Sequence, residues 1–181
     1  MRDFLKYIKG QFDSSYKARK YLINKYPDLV IEENVQFKGP LDNLVLGKSC
    51  IFQRNSVVHL GGMQWCNNKG KLEIGNNAVI SPNVVIYAAG AEVKIGNDFD
   101  CGPGVIISAS KTSIENSQAH DFKSIFIGDN VTLYSNVVIS PGAKIGNHCV
   151  VGANSVVNSK ISDHSLAIGN PAVVVKENIR K

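Results

Sequence analysis

The chain has 181 residues, 44% of them hydrophobic, and a formal net charge of +5 from 20 Lys and Arg against 15 Asp and Glu, with a pI near 9.0. That is the length of one domain with a short appendage. The basic residues are scattered, with no long basic run and no aromatic–basic interleaving, which argues against a nucleic-acid surface and leaves only a weak pull toward an anionic ligand.

In chain order, Met1-Arg2-Asp3-Phe4 opens no long apolar run, so neither a signal peptide nor a membrane-spanning segment is expected. From about Phe4 to Tyr26, the residues Phe4, Leu5, Ile8, Phe12, Tyr16, Tyr21, Leu22 and Ile23 form an imperfect apolar stripe among lysines and arginines, which predicts a helix. Gly10 weakens its middle and Pro27 ends it. Residues 1–30 are read as a helical segment capping the open end of the fold that follows. Its basic polar face also suits a membrane surface.

Beyond this segment the chain counts in sixes. Aliphatic residues recur at Val45, Ile51 and Val57, then at Ile74, Ile80 and Ile86, then with one substitution at Ile95, Cys101 and Ile107. The run continues unbroken through Ile127, Leu133, Ile139, Ile145, Val151 and Val157, often with Gly or Ser next. Neither an amphipathic helix nor an alternating strand has this period. A parallel β-helix does, because each short strand turns a corner before the next repeat begins. Grouped in threes, the repeats define triangular coils, about five of them. The steps between successive triplets are 17, 9, 20 and 6, so every extra residue falls at one corner. The two long excursions are residues 60–71 and 108–123. One loop-bearing edge is where such a fold builds a site. Residues 31–176 form this domain and 177–181 a tail.

The four cysteines, Cys50, Cys66, Cys101 and Cys149, show no CxxC spacing. They are expected to be free thiols in a reducing cytoplasm, with no disulfide and no metal role.

The stretches Ile127-Gly128-Asp129-Asn130-Val131, Ile139-Ser140-Pro141-Gly142-Ala143-Lys144-Ile145-Gly146, Val151-Gly152-Ala153-Asn154-Ser155-Val156-Val157 and Ala167-Ile168-Gly169-Asn170-Pro171-Ala172 carry a resemblance. The chain resembles the hexapeptide-repeat acyltransferases, in their branch that O-acetylates sugars and polysaccharide units. The resemblance implies an all-β fold, a left-handed parallel β-helix. It also implies acetyl-coenzyme A as co-substrate, a sugar hydroxyl as acceptor and a homotrimer with sites between neighbouring prisms; the cysteine usage and the lack of a long apolar run add the expectation of a cytoplasmic setting and no stable membrane insertion. An N-acetyltransferase of a nucleotide-linked amino sugar and a non-catalytic trimeric scaffold are the competing readings.

Acetyl transfer needs a base for the acceptor proton and donors for the oxyanion, and histidine is the usual base. Of His59, His120, His148 and His164, only His120 sits inside a long excursion, in Gln118-Ala119-His120-Asp121-Phe122. The sugar O-acetyltransferase branch usually carries its histidine earlier, where this chain reads Ser108-Ala109-Ser110-Lys111-Thr112; the His120-Asp121 pair resembles the amino-sugar branch. His120 is therefore the expected base, with Asp121 or Glu115 to set its tautomer. The resemblance assigns Ser135 and Ala153 to the pantetheine arm, and Lys160 and Lys176 to the cofactor's phosphates. It also assigns Asn83 to the acceptor. Trp65, the only tryptophan, suits stacking on a sugar face or anchoring its loop. His59 borders that loop and is expected to contact substrate. Proteins of this fold that hold zinc bring three histidines together. No second histidine lies near His120 by the coil count, so no metal is expected.

Overall fold

In the computed structural model, which describes residues 16–116 and 119–179, the sixfold repeat becomes three parallel sheets wrapped around one thin core. The strands are two to four residues long, except for the closing strand of five. Apart from the antiparallel pairs Ser110–Thr112 with His120–Phe122 and Leu166–Gly169 with Ala172–Lys176, each pairs with its equivalent one coil away, so inward side chains stack on one another, and the longer third-face strands add a second buried column at Leu44, Leu72, Val93 and Ile125.

On the first face the inward column is Ile31, Phe52, Ile80, Cys101, Leu133, Val151 and Ala167. On the second it is Phe37, Val58, Ile86, Ile107, Ile139 and Val157. On the third it is Leu46, Ile74, Ile95, Ile127, Ile145 and Ile161. Burying each such aliphatic contributes about 1.5–3 kcal/mol, and the stack carries that gain along the axis.

The columns extend the expected architecture by one coil, built from Val30–Ile31, Gln36–Lys38 and Leu44–Leu46. They also correct the phase of the first expected triplet. Leu46, Phe52 and Val58 point inward, whereas Val45 is 45% exposed and Ile51 and Val57 are half-buried. Both members of each neighbouring pair are apolar, so counting aliphatics does not choose between them. Pairing with Ile74, Ile80 and Ile86 does, because a slip of one residue turns a strand inside out. The step into the second triplet is therefore 16, not 17.

The placement of the insertions holds. Leu41–Asn43, the excursion after His59, Ala88–Ala91 and the excursion after Ser108 all lie at the corner between the second and third faces. The other two corners stay tight. A left-handed backbone residue recurs at the first–second corner, as Asn34, Asn55, Asn83, Asn136 and Asn154. It recurs at the third–first corner as Asn77, Asp98, Asn130, His148 and His164. Asn and Asp reach this conformation most readily. A polar ladder also climbs the third–first corner. The Lys48 N–H donates to Asn76, the Asn76 N–H to Asn97, the Asn97 N–H to Asp129, the Asp129 N–H to Asn147 and the Asn147 N–H to Asp163, at 2.6–3.0 Å.

At the front, residues 16–25 are helical and bury Ala18 and Leu22. The Arg19 guanidinium donates to the carbonyls of Ile31 and Glu32, and the Tyr26 hydroxyl to that of Leu44, which ties the helix to the first coil. The expected helix from Phe4 begins outside the described residues. At the far end the chain reverses through the cis Asn170–Pro171 peptide, and Ala172–Lys176 runs antiparallel along Leu166–Gly169. No helix among the described residues is long and apolar enough to cross a membrane.

Candidate active site at the loop-bearing edge

Three residues that follow inward aliphatics on the second face stand in register at this edge: His59, Tyr87 and Ser108. The His59 and Tyr87 rings are stacked, with centroids 5.3 Å apart and planes at 11°. His59 is 3% exposed. Its Nδ1 accepts the Gly61 N–H at 3.4 Å, and burial, with Lys38 nearby, holds its pKa below the ordinary histidine value.

The first excursion rises from this row. Gly61 has φ +83, and a β-carbon there would overlap the Lys69 carbonyl, so only glycine fits the turn. A 3₁₀ turn, Gln64–Cys66, then presents Trp65, whose Nε1–H donates to Met63 Sδ at 2.9 Å. The base of the loop is pinned to the next coil, where the Gly90 N–H donates to the Lys69 carbonyl at 2.7 Å.

The second excursion is a β-hairpin, Ser110–Thr112 against His120–Phe122, with Thr112 opposite His120. It folds back over the first. The His120 and Trp65 ring centroids are 4.9 Å apart, those of Trp65 and Phe122 6.4 Å, and those of His120 and Phe122 6.1 Å. Trp65 also lies 6.0 Å from His59. Loops from the second and fourth coils thus meet in one aromatic shelf, with the His120 imidazole at its half-buried outer end.

The structure places the other expected site residues as follows. The Asp121 carboxylate lies 3.8 Å from Lys111 Nζ across the hairpin rather than against the imidazole, because adjacent strand residues project to opposite sides. Glu115 is exposed in the hairpin loop, and no hydrogen bond or ion pair joins it to His120 among the described residues. His59 is not an open substrate contact, since its surface is covered by Tyr87, Trp65 and Gly61. Tyr87 and Phe122 were not singled out in the sequence. Tyr87 had a signal, because it occupies the same position in its coil as His59.

Asn83, Ser135 and Ala153 lie at the first–second corner, all exposed, on the opposite edge of the second face from His120. Lys160 projects from the third face beside Lys144, and Lys176 ends the closing strand. Lys144 Nζ sits 5.9 Å from the Phe126 ring centroid, and neither Lys144 nor Lys160 has a carboxylate within ion-pair distance among the described residues. This donor set suits a phosphorylated ligand. Among the described residues no three His, Cys, Asp or Glu side chains are placed to hold a metal ion.

Residues 124–159 match the family described as bacterial transferase hexapeptide (six repeats). The chain is 30% identical over 132 residues to galactoside O-acetyltransferase of Escherichia coli (strain K12), an alignment covering 70% of this chain and 57% of that protein's length. Against the solved structure of the hexapeptide-repeat containing acetyltransferase VCA0836 from Vibrio cholerae it is 30% identical, covers 76% of this chain and 75% of that one, and has a TM-score of 0.64. AntD, an N-acyltransferase from Bacillus cereus solved with dTDP and 3-hydroxybutyryl-CoA, shares the fold with a TM-score of 0.72 at 16% identity, over 83% and 80% of the two chains.

Proposed function

The chain belongs to the hexapeptide-repeat acetyltransferases, and on that premise we propose that it moves an acetyl group from acetyl-coenzyme A to a saccharide hydroxyl, with His120 as general base. The observation that carries the reading is the position of His120, the one histidine that the loop-bearing edge presents on an aromatic shelf. The acceptor's O–H proton passes to the imidazole as its oxygen bonds to the thioester carbonyl carbon. The tetrahedral intermediate then collapses, the C–S bond breaks, and the thiolate leaves and regains a proton. The thioester is already activated, so no covalent enzyme intermediate is needed. A surface-polysaccharide unit is the acceptor class that the sugar O-acetyltransferase resemblance favours. The amino-sugar alternative drew on the His120-Asp121 pair, and Asp121 turns to Lys111.

The site is completed by a second copy. The outer face of the second sheet carries Val57, Val85, Ile106, Val138 and Val156 in one in-register column, an apolar stripe that is only partly covered in the single chain. Three copies packed by this face set each first–second edge against the next copy's second–third edge. Ser135 and Ala153 then lie along the cofactor's pantetheine arm and Asn83 near the acceptor, across a groove from a neighbour's His120; that neighbour's Lys160, which follows its second–third corner, and Lys176 are toward the phosphates. The setting is the cytoplasm, which supplies acetyl-coenzyme A and keeps buried thiols reduced.

The test is acetyl transfer from acetyl-coenzyme A onto a panel of saccharides by the native protein and by His120→Ala. Turnover is expected to fall about 10²- to 10⁴-fold while cofactor binding persists. A variant that keeps near-full turnover places the base elsewhere.

A further inference from the structure

Trp65 has two possible employments at this edge: a platform for the incoming sugar, or a wall for the base. The geometry favours the wall. The indole lies against His120 at 4.9 Å between centroids, tilted at 47°, and against Phe122 at 6.4 Å. It is only 36% exposed, so most of its surface is already in contact with protein. Its own position is over-determined. The 3₁₀ turn Gln64–Cys66 fixes the backbone, Met63 accepts its N–H, Cys66 beside it is buried with Sγ 3.0 Å from the Met63 carbonyl, and the stacked His59–Tyr87 pair lies behind it.

His120, by contrast, stands at the start of the return strand of a hairpin. Among the described residues no hydrogen bond reaches its ring, and Asp121, the obvious orienting carboxylate, is engaged with Lys111. The ring contacts left to hold the imidazole are the indole and Phe122, which touch each other as well, beside Thr112 opposite it across the hairpin.

We propose that Trp65 is the positioning residue for His120, a rigid indole from the second coil that fixes the orientation of an imidazole from the fourth. The role rests on the reading of His120 as the base. An aromatic face does this without supplying a proton acceptor. It restricts the ring's rotation and attracts the imidazolium that forms when the base takes the acceptor's proton. The titratable and charged groups around this contact are His59 and Tyr87 behind the indole, Cys66 in its turn, and the Lys111–Asp121 pair on the hairpin. The pair is self-neutralising, and burial lowers the His59 pKa.

The chain contains a single tryptophan, so the contact reports on itself. A protonated imidazole against an indole quenches its fluorescence. Emission from the native protein is expected to fall on acidification. His120→Gln should remove that transition, and His59→Gln should leave it. A native emission that does not change with pH, or a transition that survives His120→Gln, overturns the inference.

Kinetics separate the wall from the platform. With Trp65→Leu, kcat is expected to fall about 10- to 100-fold while the acceptor KM and cofactor binding hold, and Trp65→Phe should restore most of the loss. A raised acceptor KM at unchanged kcat makes Trp65 a sugar platform and overturns the inference. The fluorescence arm does not depend on turnover. A quenching transition that requires His120, in a protein that acetylates no saccharide, leaves the contact standing and removes the proposed function.

Discussion

Gly90, in the short loop of the third coil, is the floor on which Phe122 of the second excursion rests. A β-carbon at Gly90 would overlap the Phe122 ring, and its φ of +83 is one that L side chains rarely adopt. The same glycine donates its N–H to Lys69 at the foot of the first excursion. One residue without a side chain therefore joins the loops of three coils and sets the height at which His120 stands.

Gly90→Val is accordingly expected to act at a distance from the chemistry. It should cost about 1–3 kcal/mol through backbone strain and displace Phe122, and with it the His120 strand. Thermal unfolding should report the loss of stability, and turnover should fall in the fraction that remains folded. An unchanged melting temperature and rate would show that the hairpin does not depend on this floor.

The proposed trimer packs through the apolar column of the second face. Ile106, at its middle, is 40% exposed in the single chain, and Ile114 in the hairpin loop is 90% exposed. Ile106→Asp places a charge where three copies are proposed to meet, and burying an unpaired charge is costly. Light scattering at micromolar concentration should show a trimer for the native chain and smaller species for the variant, with activity lost alongside. A native monomer that transfers acetyl groups at full rate would rule out the shared site.

Cofactor affinity should fall as salt rises, because exposed lysines are proposed to meet its phosphates. Lys160→Ala and Lys176→Ala should each weaken acetyl-coenzyme A binding with little effect on unfolding, and Lys144→Ala should behave as Lys160→Ala because the two stand side by side. Calorimetric titration at two salt concentrations checks this. Superimposable isotherms for all the variants would remove these side chains from the site.

His59 gives the fold a dependence on pH with a definite sign. Burial, and secondarily Lys38, lowers its pKa in the folded chain. The unfolded chain therefore binds the proton more readily, and stability rises with pH across the window between the two values. The full contribution is present above about pH 6.5, the ordinary histidine value, and is lost progressively below it. His59→Phe keeps a ring against Tyr87 and removes the titration. Urea unfolding between about pH 7 and about pH 5 should show a flatter stability profile for the variant, and parallel profiles would show that His59 does not contribute.

The sequence by itself determined the repeat, the three-sided coil and the single edge that takes all the insertions, because a stacked core demands one inward aliphatic every six residues and tolerates extra residues only where they leave it intact. It also singled out His120 as the candidate base, since no other histidine lies in an insertion. It could not fix the phase at Leu46, Phe52 and Val58, where both neighbouring residues are apolar and only pairing with the next coil selects the inward one. Nor could it say which groups His120 meets. Asp121 is adjacent in sequence but turns to Lys111, because strand neighbours face opposite ways, whereas Trp65 comes from a loop two coils earlier and touches the ring. Period and insertion are properties of the chain taken a few residues at a time. Phase and contact depend on how one coil lies upon the next, and that is decided only when the coils stack.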